Sequence, residues 1–368
     1  MVPIRNFVFD LCKPTDKDIA LFSLENIKLV CLMPTYNKQD TLAKAIESVM
    51  MQKADFTYKL VILDDCSSDD SYPIAQEYKK RYPDKIEIVR NETNLKLLKS
   101  ITNGYSLLKG VDYFCVLDAD DYYIYDKKFA DAVAFLETHK DYVIYMSNVI
   151  LLKNNVKMPY HRINQDFIDF DWNDYIMDKC ILMQTGGMIY RNIYFKYGIN
   201  EAFLIGTKQG YGYALRCDAF MLPYHLSGGK AHFVNNLESV YNYNKCGIWS
   251  GLQSFEQNLL QALLYIALSD FFPNNKDFFL KKTKKLYDLA IEELRHIDEH
   301  ITTKNKDLIF YIYSQTYLSN NPIFYNEGLE KLDLTIVQRI FSIKNTPNKR
   351  YKVLTILGIT FKFKRKAK

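Results

Sequence analysis

Three aspartates within four positions, Asp118, Asp120 and Asp121, follow directly on the apolar residues Val116 and Leu117. Carboxylates this close repel one another, so a cation or hydrogen-bond donors must hold them, and a hard divalent metal meets that need. Asp118 and Asp120 stand at i and i+2. On continuing strand geometry they share a side, which lets one reach a metal and the other a ligand hydroxyl. The competing reading is an Asp-rich turn that caps a helix expected to begin near Asp126. A second acidic pair, Asp64 and Asp65, also ends an apolar run, and there helix capping by Ser67, Ser68 and Asp69 competes. Pro34, Thr35, Tyr36 and Asn37 close the first apolar run and read, by themselves, only as a turn.

The elements that would position these residues alternate. Leu29 to Met33 has strand length, and Thr41 to Gln52 places Leu42, Ala45, Ile46 and Val49 on one helical face. Tyr58 to Leu63 is a second apolar strand, followed by a helix over Ser71 to Arg81; Ile86 to Val89 is a third. Lys96 to Lys109 again has helical spacing, and Tyr113 to Leu117 is a fourth strand. Strands alternating with helices predict a parallel sheet covered on both faces, with ligands beyond the carboxyl ends of the strands. From Asp141 to Tyr243 the pattern loosens into antiparallel-looking pieces: Tyr142 to Leu152, Gly187 to Arg191 and His232 to Tyr243. Helical period returns over Gln253 to His296, and Lys349 to Lys366 reads as a short hairpin around Gly358.

The composition is that of a globular chain: 368 residues, 48% hydrophobic, 25% charged, with 14 glycines and 10 prolines. Collagen-like, mucin-like and bulk-disordered classes are excluded. Seven widely spaced cysteines with no CxxC pair argue against a disulfide framework and a zinc site, and point to a reducing cytoplasm. Met1 to Asp10 has no apolar run of signal-peptide length, and no window has the length of a membrane span, so secretion and membrane spanning are not expected. Net charge is +5, yet Lys344 to Lys368 holds nine basic residues and no acid. That placement, mixed with Ile356, Leu357, Ile359, Phe361 and Phe363, suits an anionic membrane surface better than nucleic acid; an inert solubilising end is the alternative.

Taken together, CLMPTYN (Cys31 to Asn37), VILDDCSSDD (Val61 to Asp70), the loop Asn91 to Asn94 and VLDADD (Val116 to Asp121) resemble, in order and spacing, the nucleotide-sugar half of a glycosyltransferase family 2 enzyme. The resemblance covers roughly Ile27 to Ser250. It implies an α/β protein of the GT-A (Rossmann-like) type: a mixed, largely parallel sheet flanked by helices, followed by a smaller helical C-terminal region. The expected organisation is an N-terminal extension at 1–26, the glycosyltransferase domain at 27–252, the helical region at 253–342 and the basic tail at 343–368. It further implies that Pro34 and Tyr36 border the base, that Asp65 hydrogen-bonds uracil or another pyrimidine, that Asp118 holds the ribose, and that Asp120 ligates a Mn²⁺ or Mg²⁺ bridging the diphosphate.

Family members invert the anomeric carbon, which requires a base opposite the leaving group. Within Leu215 to Phe220, Asp218 aligns with that base, and Cys217 replaces the usual glutamate. A helix-face aspartate paired with Arg216 or Lys230 is the structural alternative for Asp218. Leu95 stands where glycine is common in the family. Gly186 and Gly187 resemble a small-residue segment that lets a sugar approach the backbone, or they form an ordinary turn. Tyr241, Tyr243, Lys245, Trp249 and Ser250 resemble a segment that closes over the diphosphate, with Lys245 on phosphate and Trp249 stacking on an acceptor sugar. His225 and His232 are candidates to complete a metal shell, against a purely structural role.

The Gln-x-x-Arg-Trp motif of processive synthases is missing, so single-sugar transfer is expected. The implied partners are a nucleotide-diphosphate sugar, most simply a UDP-sugar, and a glycan or lipid-linked glycan acceptor of a surface polymer such as capsule or lipooligosaccharide. Peripheral placement on the cytoplasmic face of the inner membrane and a homodimer through the C-terminal helices complete the expectation. Two other readings compete: a non-catalytic scaffold that binds nucleotide sugar or glycan, and a sugar nucleotidyltransferase. The latter would need a Gly-rich phosphate loop after the first strand, where Pro34 to Asp40 has no glycine.

Overall fold

The computed structural model describes residues 24, 26–197, 217–243, 247–295, 309, 311–313 and 316, and the strands at 341–345, 351–356 and 359–364. Almost all of the expected N-terminal extension, Lys245 and Arg216 lie outside them. The chain divides into two compact units, Met1–Gly251 and Leu252–Lys368.

In the first unit, strands β1 (Leu29–Thr35), β2 (Tyr58–Asp64), β3 (Ile86–Arg90) and β4 (Tyr113–Val116) alternate with helices α1 (Leu42–Met50), α2 (Ser71–Arg81) and α3 (Lys96–Ser106). The strands β1, β2 and β4 are continuous apolar runs because they are buried on both faces, as parallel strands with helices above and below must be. Helix α1 turns Leu42, Ala45, Ile46 and Val49 into the core, the stripe expected from spacing. There follow β5 (Tyr122–Tyr123), α4 (Lys128–Thr138), β6 (Tyr142–Lys153), β7 (Val156–Pro159), β8 (Phe167–Phe170), α5 (Trp172–Ile176), β9 (Met188–Arg191), α6 (Cys217–Leu226) and β10 (Lys230–Asn242).

These strands form one ten-stranded sheet in the order β3-β2-β1-β4-β9-β6-β10-β5, with β7 on β6 and β8 on β10. The chain leaves β1 towards β2 and β3, then returns to lay β4 along the other side of β1, parallel to it. The order therefore reverses between β1 and β4, where open α/β sheets leave a crevice beyond the strand ends.

Antiparallel pairing was expected across Tyr142 to Tyr243, and β9 does run antiparallel to β4 and β6. The pair β6–β10 differs: it is parallel, with register shifts at Lys230/Ala231, Val234/Leu237 and Leu237/Ser239. The intervening chain, which among its described residues has three strands and two helices, is long enough for the crossover a parallel pair requires. Sequence alternation marks strand faces but carries no information on strand direction.

Buried beneath the strand ends, the Lys128 ammonium at the start of α4 is 0% exposed and sits 2.6 Å from Ser147 Oγ and 3.0 Å from Glu238 Oε2. The Tyr145 hydroxyl donates to the other Glu238 oxygen at 3.3 Å. This closed network ties α4 to β6 and to the irregular stretch of β10. Ile124 N donates to Glu238 O at 2.9 Å, seating β5 on the same stretch.

In the second unit, α7 (Ser254–Phe271) and α8 (Lys276–Arg295) form an antiparallel hairpin across the turn Pro273–Asn275. Leu259, Ala262, Leu263 and Ile266 are buried on α7, and Phe279, Thr283, Ala290 and Leu294 on α8. Ser254 Oγ and Asn258 Nδ2 each lie 3.0 Å from Glu293 Oε1. Strands β11 (Phe341–Asn345), β12 (Tyr351–Ile356) and β13 (Ile359–Lys364) make a separate antiparallel sheet. The β12–β13 hairpin stands where one was expected around Gly358, and β11 adds a third strand to it. Among the described residues no helix is long and apolar enough to cross a membrane.

Removing one partner of a fully buried ion pair strands the other charge in a low-dielectric interior. Lys128→Met is expected to destabilise the first unit by about 3–5 kcal/mol in urea unfolding, and adding Glu238→Gln to recover part of that loss. An unchanged unfolding midpoint in the single variant would show that the network contributes nothing.

Candidate functional site

Two loops at the carboxyl ends of β1 and β2 hold each other. Asn37 N donates to Ser67 Oγ (3.0 Å), Lys38 N to Ser71 Oγ (2.7 Å) and Gln39 N to Asp69 Oδ2 (3.1 Å). In return Ser68 N donates to Asn37 Oδ1 (2.9 Å), and Asp70 N to Gln39 Oε1 (3.1 Å). The run of Ser and Asp after β2 therefore serves mainly as a clasp on the β1–α1 loop, although Asp69 Oδ1 also accepts from Ser71 N at 3.0 Å. Asn37 adopts φ 52°, a left-handed conformation that asparagine tolerates better than most residues. The clasp fixes the path of Lys38, whose ammonium forms an ion pair with Asp120 across the crevice.

The turn after β4 is closed by Asp121 N donating to Asp118 O at 2.9 Å. Asp121 is buried at 4% exposure, and its Oδ1 accepts from Asn242 N at 2.8 Å, which binds the end of β10 to the acidic turn. Burial holds the Asp121 carboxyl well above the usual range, and the charges of Asp118 and Asp120 push in the same direction. Asp118 is raised to about 7: burial contributes most, followed by repulsion from Asp120 and from Asp218, with Lys38 and a hydrogen bond from Thr185 opposing. Asp118, Asp120 and Asp218, from segments a hundred residues apart, thus share one electrostatic site beside the crevice.

Asp218 lies in the first turn of α6, with its Oδ1 2.6 Å from Ala219 N, at a helix end that favours negative charge. Near it is Tyr160, whose hydroxyl pKa is raised by burial and further by the Asp218 charge, and which accepts from Gln184 Nε2 at 2.9 Å. Tyr241 packs edge-on against Tyr160 at 6.2 Å. Gly187 comes so close to β6 that an added Cβ would meet Ser147 O at 2.9 Å and Val149 Cγ2 at 3.0 Å. Packing within the protein therefore already demands glycine there.

Asp65 stands one strand away, just past the end of β2. Its carboxylate accepts from Asn91 Nδ2, Leu95 N and Lys96 N, each at 2.8 Å, while its own N–H donates to Thr35 O at 2.9 Å. It holds the Asn91–Lys96 loop against the end of β2, with Lys96 itself at φ 69°. Pro34 is buried in β1, and Tyr36 is exposed just beyond it. Trp249 is half-buried in the segment after β10.

The two histidines offered as metal ligands are placed elsewhere. His232 is near the start of β10 and bonds Asp169 at 2.7 Å; ten residues of strand separate it from Asn242, roughly 30 Å at the usual rise. His225 is fully buried, its Nδ1 on Met221 O at 3.0 Å, ringed by Phe114, Tyr190 and Tyr194, with Nε2 lacking a partner. Both are structural.

Among the described residues no group of three His, Cys, Asp or Glu forms a ready-made metal cage. A cation that bridges phosphates needs less: one or two carboxylates, with phosphate oxygens and water completing its shell. The hard oxygen donors of Asp118 and Asp120, with Asp118 raised to about 7 by burial and then by its acidic neighbours, fit such an ion. A cleft of about 470 Å³ also exists at the amino ends of β1 and β4, but most of its charges are paired within it: Lys28 with Asp112 and Glu137, Lys196 with Asp112, and Lys140 with Glu137, while Arg191 donates to Tyr142 O and the Tyr113 hydroxyl.

Lys38, Asp121, Thr185 and Tyr160 belong to the site without having been singled out as functional from the sequence. Asp121 was visible within the acidic triplet, but Lys38, Thr185 and Tyr160 carried no sequence signal, because only tertiary pairing brings them to the aspartates.

Open α/β sheets bind ligands beyond the carboxyl strand ends where the strand order reverses, and here an acidic turn stands at that point. The sequence model of Glycosyl transferase family 2 matches residues 30–211, and over those residues the chain belongs to that family. EpsE of Bacillus subtilis is 35% identical over 117 residues, 32% of this chain and 41% of that protein. The poly(ribitol-phosphate) beta-N-acetylglucosaminyltransferase TarS of Staphylococcus aureus is 28% identical over 137 residues, 34% of this chain and 21% of that protein. The crystal structure of TarS superposes with a TM-score of 0.50 at 14% identity, covering 92% of this chain and 60% of that one. The shared fold is GT-A. The chain spans between 41% and 58% of the first curated relatives it matches.

Burial holds the His225 imidazole down to about 3, so between there and about 6.5 the unfolded chain binds a proton that the fold refuses. Stability is therefore expected to fall as pH drops through that window, by up to about 1.4 kcal/mol per pH unit from this group. His225→Leu is expected to flatten that part of the profile in denaturation measured from pH 7 to 4. Parallel profiles for the two proteins would refute the assignment.

Proposed function

We propose that this chain is an inverting, metal-dependent glycosyltransferase that moves one sugar from a nucleoside diphosphate sugar, most simply a UDP-sugar, to a hydroxyl of a surface glycan such as capsule or lipooligosaccharide. The observation that carries the reading is that Asp118, Asp120 and Asp218 act on one another beyond the end of β4, where burial first and then repulsion from Asp120 and Asp218 raise Asp118 to about 7. Carboxylates held in this way are poised for a cation and for a substrate bearing hydroxyls. The printed name of TarS, a sugar transferase acting on a polymer, supports an acceptor of that kind.

In this reading Tyr36 and Pro34 border the base. Asp65 keeps part of its acceptor capacity, since an ionised carboxylate offers about four lone-pair sites and three donors are in place. A pyrimidine N–H can take what is left. Asp118 accepts from the ribose hydroxyls. Asp120 would hold Mn²⁺ or Mg²⁺, which when bound offsets the charge on the departing nucleoside diphosphate. Asp218 takes the proton from the acceptor hydroxyl as that oxygen attacks the anomeric carbon. Tyr160, Tyr241 and Trp249 supply aromatic surface for a sugar, and Lys245, which lies outside the described residues, is assigned to phosphate. The basic strands β11 to β13, with Lys344, Lys352, Lys362 and Lys364, are assigned to an anionic membrane surface, which supports acting at the cytoplasmic face. The homodimer expected through the C-terminal helices gains no support from the described residues.

UDP with Mn²⁺ is expected to raise the melting temperature, by about 2.7 kcal/mol of stabilisation at a hundredfold excess over Kd. Asp120→Ala should abolish that shift. Asp218→Asn should keep it while transfer or donor hydrolysis falls by about 10²- to 10⁴-fold. No shift with UDP at saturating Mn²⁺ would sink the donor assignment; binding without any turnover would identify a non-catalytic scaffold.

A further inference from the structure

Among the described residues the acidic turn faces the Lys38 ammonium, whose backbone is held both by the start of α1 and by the loop after β2. Lys38 N is bonded to the buried Ser71 hydroxyl, and Lys38 O accepts from Thr41 N at 3.0 Å and Leu42 N at 2.9 Å, so its backbone is fixed on three sides. From there the side chain crosses the β1/β4 crevice to Asp120, the two side chains being 30% and 20% exposed. The same ammonium opposes the charge of both Asp118 and Asp121. It therefore neutralises a group of carboxylates that would otherwise repel one another.

We propose that Lys38 is a built-in counter-cation that occupies Asp120 in the donor-free protein and is displaced onto the diphosphate when metal and nucleotide arrive. This rests on the reading of Asp120 as a metal-holding residue. Two consequences follow from charge balance. A divalent cation arriving alone must compete with an ammonium already on the carboxylate, so the free site binds metal weakly. A cation arriving with nucleoside diphosphate leaves Lys38 beside newly delivered phosphate oxygens, where its charge is again compensated. Lys38 thereby couples metal binding to nucleotide binding, which favours loading them together. It acts through charge at Asp120 and the diphosphate, and is a positioning residue.

The test uses the full chain and its Lys38→Met and Lys38→Arg variants. Mn²⁺ affinity without nucleotide is followed by electron paramagnetic resonance of the free ion, and UDP affinity at saturating Mn²⁺ by calorimetry. Lys38→Met is expected to tighten Mn²⁺ alone by about three- to tenfold, the range of a partly exposed ion pair within a charged cluster, and to weaken UDP by a similar factor. Lys38→Arg, which keeps the charge, is expected to retain UDP affinity better than Lys38→Met. A purely structural lysine could not tighten metal binding when removed. Mn²⁺ affinity that is unchanged or weaker in Lys38→Met overturns the role of Lys38 while leaving the metal reading intact. Failure of all three proteins to bind Mn²⁺, with or without UDP, overturns the metal reading and this proposal with it.

Discussion

The structure of the first unit depends on crowding like charges where a sheet ends. Asp118, Asp120 and Asp121 emerge from β4 into a partly desolvated corner, and Asp218 is added from a distant helix. At short range and low dielectric such repulsion is costly unless opposing charge or donors are supplied. The fold supplies three: the Lys38 ammonium on Asp120, the Asn242 N–H on Asp121, and the hydrogen bond from Thr185 to Asp118. Each comes from a different part of the chain. Compensation is incomplete, and the remaining electrostatic tension is what a cation and a hydroxyl-bearing ligand would relieve in the proposed function.

Much of the surrounding architecture keeps those partners in register. The reciprocal clasp between the loops after β1 and β2 fixes Lys38. The antiparallel contact of β5 with β10, together with the Lys128–Glu238 network beneath it, fixes the stretch of β10 that ends at Asn242. Gly187 lets the segment bearing Thr185 lie close against β6. Polar pairs buried in this way contribute little net stability compared with apolar packing, but they define one arrangement at the cost of alternatives.

Asp65 has a structural task beside the ligand role proposed for it. Its carboxylate organises the Asn91–Lys96 loop through three donors, so the motif around it orders the backbone at the end of β2 whatever ligand it meets. Pro34 and Tyr36, two positions apart, are a buried anchor and an exposed ring.

The sequence by itself determined the alternation of β1 to β4 with their helices, because period 2 and period 3.6 are local properties written in side-chain hydrophobicity. It also determined that acidic turns close β2 and β4, since residue type and strand end are both local. Tertiary structure decided the rest. The direction of β10 beside β6, the burial of His225, the ion pair of Lys38 with Asp120 and the approach of Asp218 to Asp118 all join residues far apart in the chain. Periodicity is blind to strand direction, and a formal charge has no address until folding sets its distance and its dielectric surroundings; only then does an aspartate become a ligand, a base or a clasp.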